Sequence, residues 1–412
     1  MQMKKYKLGE LMEVTRGMSL GGEFYSTKGE LMRLTLENFD YKNNCFKDDK
    51  SKNNLFFTGA VKPEFILKKD DIITPLTEQA IGLLGSTAKI PCSGKYIQSQ
   101  DVALIKCNEK LNPNFAFYLI SSKLVRNQLS AAAQQTKIRH TSPDKIKDCT
   151  VWIPEYSSQE KIGNFLSSID EKIALNNRIN EKLEQLAKRL YDYWFVQFDF
   201  PNSDGKPYKS SGGKMVYSAE LKREIPAVWE VKNIFDAADV IYGFPYATEP
   251  FDEDIENSRN PYSVIRIRDI LENTISAKTT EKSGEKYKTQ VGDLLIGMDG
   301  YFHMNFWSRN DDYVNQRITR IRKTCISTLI LYHQILPFIK FKEKKAKGST
   351  VGHLSDKDIK QIEILIPDNK NLSDKFDLIL YLMMKNRQEN VKLSRMRDSL
   401  LPLLMNGQVK II

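Results

Sequence analysis

The chain has 412 residues, 41% of them hydrophobic and 28% charged, with a formal net charge of +10 and a pI near 9.0. Such a length exceeds one ordinary core, so two globular domains are expected. No run of about 18 apolar residues occurs and MQMKKYKLGE lacks the apolar stretch of a signal peptide, so the expectation is a cytoplasmic protein without a membrane span. The cysteines (Cys45, Cys92, Cys107, Cys149, Cys325) form no CxxC pair and the histidines (His140, His303, His333, His353) no metal-ligand spacing. The cysteines read as reduced core residues, with no disulfide and no metal site.

Residues 1–155 carry a net charge of +6 and read as a first α+β domain. Short apolar strands such as DIITP and DVALI alternate with a helical pattern over Asn114–Ala133. From Ser158 the positions Ile162, Leu166, Ile169, Ile173, Asn176, Asn180, Leu183, Ala187 and Leu190 step by alternating fours and threes, the seam of a coiled coil. Residues 156–200 are thus a central helix that closes on LYDYWFVQFDFP, six aromatics in twelve residues. A linker over 201–225 follows. Residues 226–368, at net charge −1, read as a second domain, and 369–412, at +4, as a distal helix.

The second half repeats the first. YKLGEL leading to Gly17 is echoed by WEVKNI leading to Gly243, LKKDDIITP by KTQVGDLLIG, YIQSQDVALI by YVNQRITRI, and HTSPDKIKDCTVWIPE by HLSDKDIKQIEILIPD. The seam recurs as Leu372, Phe376, Ile379, Met383, Asn386, Asn390, Leu393, Arg397 and Leu400, its two asparagines included. Buried asparagines at seam positions fix register, so the helices are expected to pack on each other; the alternative is that each covers its own domain. The expected fold is α+β: two similar domains separated by two long antiparallel coiled-coil helices, with a pseudo-two-fold internal repeat.

This plan resembles the specificity subunit of type I restriction-modification systems. The stretch YWFVQFDFP with SSGGKMVYSAELKREIPAVWEV is similar to that family's central conserved region, IPAVW to the entry of its second target-recognition domain, and LLPLLMNGQVKI to its closing segment. One departure is Asp70, which stands where the second copy has Gly292. The resemblance implies a non-catalytic subunit that reads a bipartite, asymmetric site on double-stranded DNA. It would direct two modification subunits and the restriction or motor subunits to that site. S-adenosylmethionine, ATP and magnesium belong on those partners, with no cofactor on this chain. The central aromatics Tyr193, Trp194, Phe195, Phe198 and Phe200 are then candidates for partner docking, packing on the adjoining domain being the alternative.

The residues themselves offer no catalytic site. No GxxxxGK[ST] loop, NPPY, GxSxG or HExxH motif is present. The nearest approach to a metal nuclease is Asp204 with Glu220 and Lys222. Base readout needs Arg, Asn, Gln and their kind on loops between strands. Candidates in the first domain are Arg16, Thr77, Gln79, Gln98, Gln100, Lys137, Arg139 and His140. In the second they are Tyr242, Tyr246, Tyr301, His303, Asn305, Asn315, Gln316, Arg317, Lys345, Lys347 and His353. Each also reads as part of a solvated turn. Two rival functions stay open from the residues alone: a metal-dependent nuclease acting by itself, and a coiled-coil scaffold that reads no DNA.

Overall fold

The computed structural model describes residues 2–49, 52–78, 82–132, 139–247, 251–255, 257–346 and 352–411. The chain forms two compact units, one of residues 1–172 and 393–412, the other of residues 173–392. Two 36-residue helices, Tyr156–Tyr191 and Lys370–Met405, each contribute to both. No helix among the described residues is long and apolar enough to cross a membrane. Of the five cysteines expected in the core only Cys149 is buried; Cys107 is half-buried, and Cys45, Cys92 and Cys325 are exposed.

Each unit is built on a four-stranded antiparallel sheet, and the strand order is the same in both. In unit 1 it runs Ala88–Lys89, Ile72–Pro75, Val102–Cys107, Met12–Arg16; in unit 2 it runs Met304–Phe306, Leu294–Gly297, Ile318–Lys323, Ala238–Tyr242. The flanking pairs repeat as well. Lys4–Lys7 pairs with Thr150–Ile153 as Glu230–Asn233 does with Glu363–Ile366, and a parallel pair forms between Tyr96–Ile97 and Met32–Arg33 as between Tyr313–Val314 and Tyr262–Ile265. The central strands are short and buried on both faces, which is why DIITP and DLLIG read as nearly continuous apolar runs.

The register of the repeat differs from its sequence echo by one residue. Val102 lies opposite Pro75 and Ile318 opposite Gly297, while Met18 bridges Ser99 and Phe244 bridges Asn315. Asn315, Gln316 and Arg317 therefore correspond to Ser99, Gln100 and Asp101, not to Gln98, Ser99 and Gln100. The echo of Tyr96 in Tyr313 misleads because backbone pairing, set by the buried strands, overrides side-chain likeness. Asp70, in contrast, preserves the loop of its counterpart: its φ of 67° and the 92° of Gly292 are both left-handed, a region that Asp tolerates better than most residues.

Within unit 2 the two long helices run antiparallel, since Asn176 bonds to Asn390 and Asn180 to Asn386. Asn176 Nδ2 donates to Asn390 Oδ1 and to Glu389 Oε2, both at 2.8 Å, and Asn386 Nδ2 donates to Asn180 Oδ1 at 2.8 Å. Ile173, Leu183, Leu190, Phe376, Ile379 and Met383 fill the rest of this stretch, all buried or half-buried. In unit 1 Ile162, Leu166 and Ile169 are buried and Leu393 and Leu400 half-buried, and Arg397 closes onto Asp170 at 2.8 Å.

Candidate nucleic-acid interface

In both units the candidate readers gather at one end of the four-stranded sheet, where the first and the apolar central strands finish and the longest strand begins. In unit 1 this end holds Arg16, exposed at its strand terminus, with Gln100 and Asp101 ahead of Val102. Arg139–His140 pairs there with Thr77–Glu78. Buried Glu78 organises the loop, its Oε1 accepting from the amides of Gly82, Leu83 and Leu84 at 2.7, 3.0 and 3.4 Å. Arg139 lies 3.7 Å from the other carboxylate oxygen and donates to Ser130 Oγ. His140 Nδ1 sits 3.3 Å from Thr77 Oγ1, which donates to Asp101 Oδ1 at 3.1 Å. A cleft of about 380 Å³ adjoins it, lined by Tyr25, Arg33, Glu37, Lys52, Gln100 and Asp101. Gln79 and Lys137 lie outside the described residues.

In unit 2 the same end carries the hairpin between Leu294–Gly297 and Met304–Phe306. Tyr301 projects from its tip, 68% exposed, and stacks on His303 with ring centroids 5.9 Å apart. Gln316 and Arg317 are exposed before their strand. Arg317 Nε lies 3.3 Å from Asp299 Oδ2, and His353 Nδ1 lies 2.6 Å from Asp299 Oδ1. Lys345 is exposed over the ring of Phe341 at 4.5 Å. Asn315 is half-buried, and Lys347 lies outside the described residues.

Several expected readers are instead structural. Gln98 is 1% exposed, and its amide nitrogen donates to the carbonyls of Thr15 and Val102, so it ties strands together and reaches no ligand. Tyr246 is buried with its hydroxyl 2.5 Å from Ser283 Oγ, and burial pushes its phenol up to about 12. Asn305 donates to the carbonyls of Ile270 and Leu271 and accepts from Arg387, which consumes its amide. Tyr242 is half-buried against the core, its ionisation suppressed first by burial and then by Asp356. Thr77, though buried, stays in the bonded group at the sheet end. Sequence reasoning did not single out Asp101 or Asp299, the carboxylates that join these groups; the signal available was an acidic residue beside the strand end in each repeat, before Val102 in one and after Gly297 in the other.

The aromatic stretch requires the largest correction. Trp194, Phe195, Phe198 and Phe200 are buried in unit 2's own core and Tyr193 is half-buried there, so packing within the unit already covers most of this ring surface. Phe200 stacks between Trp194 and Trp229 at centroid distances of 5.0 and 4.9 Å, with Phe198 edge-on to Trp229. A π-helical turn over Asp192–Val196 turns these rings inward.

Exposed apolar surface lies on the helix pair instead. Leu175, Ile179, Leu186, Leu378 and Leu382 are 37–58% exposed, and each immediately precedes a seam position. Like flanks of an antiparallel pair lie on the same side. On the other flank Arg387, which follows Asn386, turns inward and bonds to Asn305 Oδ1 and the carbonyl of Phe306, 3.8 Å from Glu184. The outward flank of unit 2's helix pair is thus an apolar stripe.

Against known proteins, the family model described as type I restriction modification DNA specificity domain matches the chain twice, over residues 2–185 and 226–377. The chain is 25% identical over 314 residues to the type I restriction enzyme MjaIX specificity subunit of Methanocaldococcus jannaschii, a match covering 72% of this chain and 69% of that one. It is 22% identical over 379 residues to the HindI specificity subunit of Haemophilus influenzae, covering 76% and 81%. The type I restriction-modification S subunit of M. genitalium superposes with a TM-score of 0.60 at 16% identity, covering 98% of this chain and 96% of that one.

Proposed function

The chain belongs to the type I restriction modification DNA specificity family, and from that premise we propose that it reads a bipartite, asymmetric site on double-stranded DNA and brings modification and restriction subunits to it. One observation carries the reading. The same end of the same sheet is presented in both units with Gln100 and His140 repeated as Gln316 and His353, yet the side chains around them differ at matching positions: Arg16, Thr77 and Asp101 in one, Tyr242, Asp299 and Arg317 in the other. A common frame with unlike tips suits two unlike half-sites.

The partner composition follows the same reasoning. Two modification subunits supply S-adenosylmethionine and methylate adenine, and restriction subunits supply the ATP- and magnesium-dependent steps. Leu175, Ile179, Leu186, Leu378 and Leu382 offer a modification subunit an apolar stripe to cover. This cytoplasmic complex needs no catalytic group from the chain. Of the nuclease residues, Glu220 accepts from Ser218 Oγ at 2.7 Å, and no group of three or more His, Cys, Asp or Glu able to hold a metal ion occurs among the described residues.

The test is binding of the assembled complex to a duplex carrying the methylated motif, titrated from about 50 to 200 mM salt. A reader that neutralises several phosphates loses affinity linearly in log salt, about 0.9 per phosphate contacted. It also prefers the motif over scrambled duplex. Salt-independent binding without sequence preference would leave only a scaffold.

A further inference from the structure

Backbone pairing places three side chains at matching positions in the two units and gives the outermost one opposite polarity. Thr141 N donates to Leu76 O as Leu354 N does to Met298 O, both at 2.8 Å, so His140 corresponds to His353 and Thr77 to Asp299. With Asp101 matching Arg317, unit 1 holds the series His140, Thr77, Asp101, joined by hydrogen bonds, and unit 2 the series His353, Asp299, Arg317, joined by a hydrogen bond and then an ion pair.

We infer that positions 101 and 317 discriminate bases in the two half-sites, Arg317 by donating to N7 and O6 of a guanine and Asp101 by accepting from the exocyclic amino group of a cytosine or adenine. This deepens the DNA-reading role proposed above and rests on it.

The geometry suits each task. Arg317 is 56% exposed, and only its Nε is engaged among the described residues, by Asp299 Oδ2. Asp299 is itself held from the other side by His353. A guanidinium fixed at Nε keeps both terminal nitrogens for the acceptor pair on guanine's major-groove edge, with less freedom left to lose on binding. The Tyr301 ring stands on the same hairpin tip.

In unit 1 the threonine hydroxyl occupies one oxygen of Asp101 and orients the carboxylate, whose Oδ2 accepts no bond among the described residues. A carboxylate facing DNA is repelled by phosphate. It is tolerated where an amino group is its partner, and its neighbours Arg16 and Arg139 suit the backbone.

The experiment is sequencing of N6-methyladenine in genomic DNA from cells co-expressing the full chain with its modification subunits. Arg317 is exposed, so Arg317→Ala leaves the fold intact, which thermal melting checks. The expected result is that one guanine in one half of the motif relaxes, its preference falling about 5- to 150-fold, while the other half is unchanged. Arg317→Lys, which keeps the charge and loses the fork, relaxes the same position. Asp299→Asn, which keeps an acceptor for Nε, relaxes it less than Asp299→Ala. The pair Thr77→Asp with Asp101→Arg installs a guanine in the other half. If Arg317→Ala and that pair leave the motif intact while Tyr301→Ala or Gln316→Ala alters it, the sheet end reads DNA through other residues and the inference is overturned. If no variant alters the motif of an active complex, the DNA-reading assignment of this end falls, and the inference with it.

Discussion

Gly243→Ala should cost unit 2 much of its stability. A Cβ built there lies 2.1 Å from the carbonyl oxygen of Asn315 and 2.4 Å from that of Val314, where real contacts stay above 3.0 Å. The obstacle is backbone that cannot rotate away. Phe244 N donates to Val314 O at 2.8 Å and Gln316 N to Phe244 O at 2.9 Å, so an opening of about 1 Å breaks one or both bonds. Each broken buried bond costs about 1–3 kcal/mol, giving about 1–6 kcal/mol in all. Tryptophan fluorescence in urea reads this directly, because Trp194, Trp229 and Trp307 are buried in unit 2 while Trp152, the only other tryptophan, is 41% exposed. Gly17→Ala, whose Cβ meets the carbonyls of Gln98 and Ser99 at 2.3 Å, should destabilise unit 1 alike and leave that signal in place. A loss below about 0.5 kcal/mol for Gly243→Ala refutes the reasoning, since it would mean that the two segments part freely.

Three further outcomes are expected. Asn180→Ala strands the Asn386 amide and lowers unit 2's stability by about 1–3 kcal/mol, whereas Asn180→Leu with Asn386→Leu restores most of it; a double-mutant cycle in urea measures the coupling. His333, stacked on Tyr191 and pushed down to about 4 by burial and then by Lys188, stays neutral in the fold. The unfolded chain takes up that proton below the ordinary 6.5, so up to about 3 kcal/mol of stability, fully present above pH 6.5, is lost as pH falls toward 4; His333→Phe flattens this acid limb in melts taken across that range. Ile179→Lys with Leu382→Glu leaves melting unchanged and abolishes co-purification of the modification subunit, while retention of that subunit places its dock elsewhere.

The duplication and the seam were legible because both are periodic: Asn176 and Asn180 recur as Asn386 and Asn390, and those four residues bond across the helix pair. Local chemistry was harder to read. A glutamine in a loop of polar residues looks like a reader, and only burial distinguishes Gln98, bonded to two carbonyls, from exposed Gln100. The six aromatics carried enough apolar surface to demand a partner, but sequence does not say whether that partner is Trp229 of the same unit or another protein. The correspondence of Asp101 to Arg317 in the repeat was hidden because it is set by strands whose neighbours are distant in the chain, and a repeated tyrosine one residue out of step obscured it.

The central claim, that each unit reads its own half of one DNA site, is tested most directly by replacing residues 226–368 with the corresponding segment of another specificity subunit and sequencing methylated adenines. The account predicts a split motif in which one half is retained and the other becomes that of the donor. A motif that changes in both halves, or in neither while methylation persists, would contradict it.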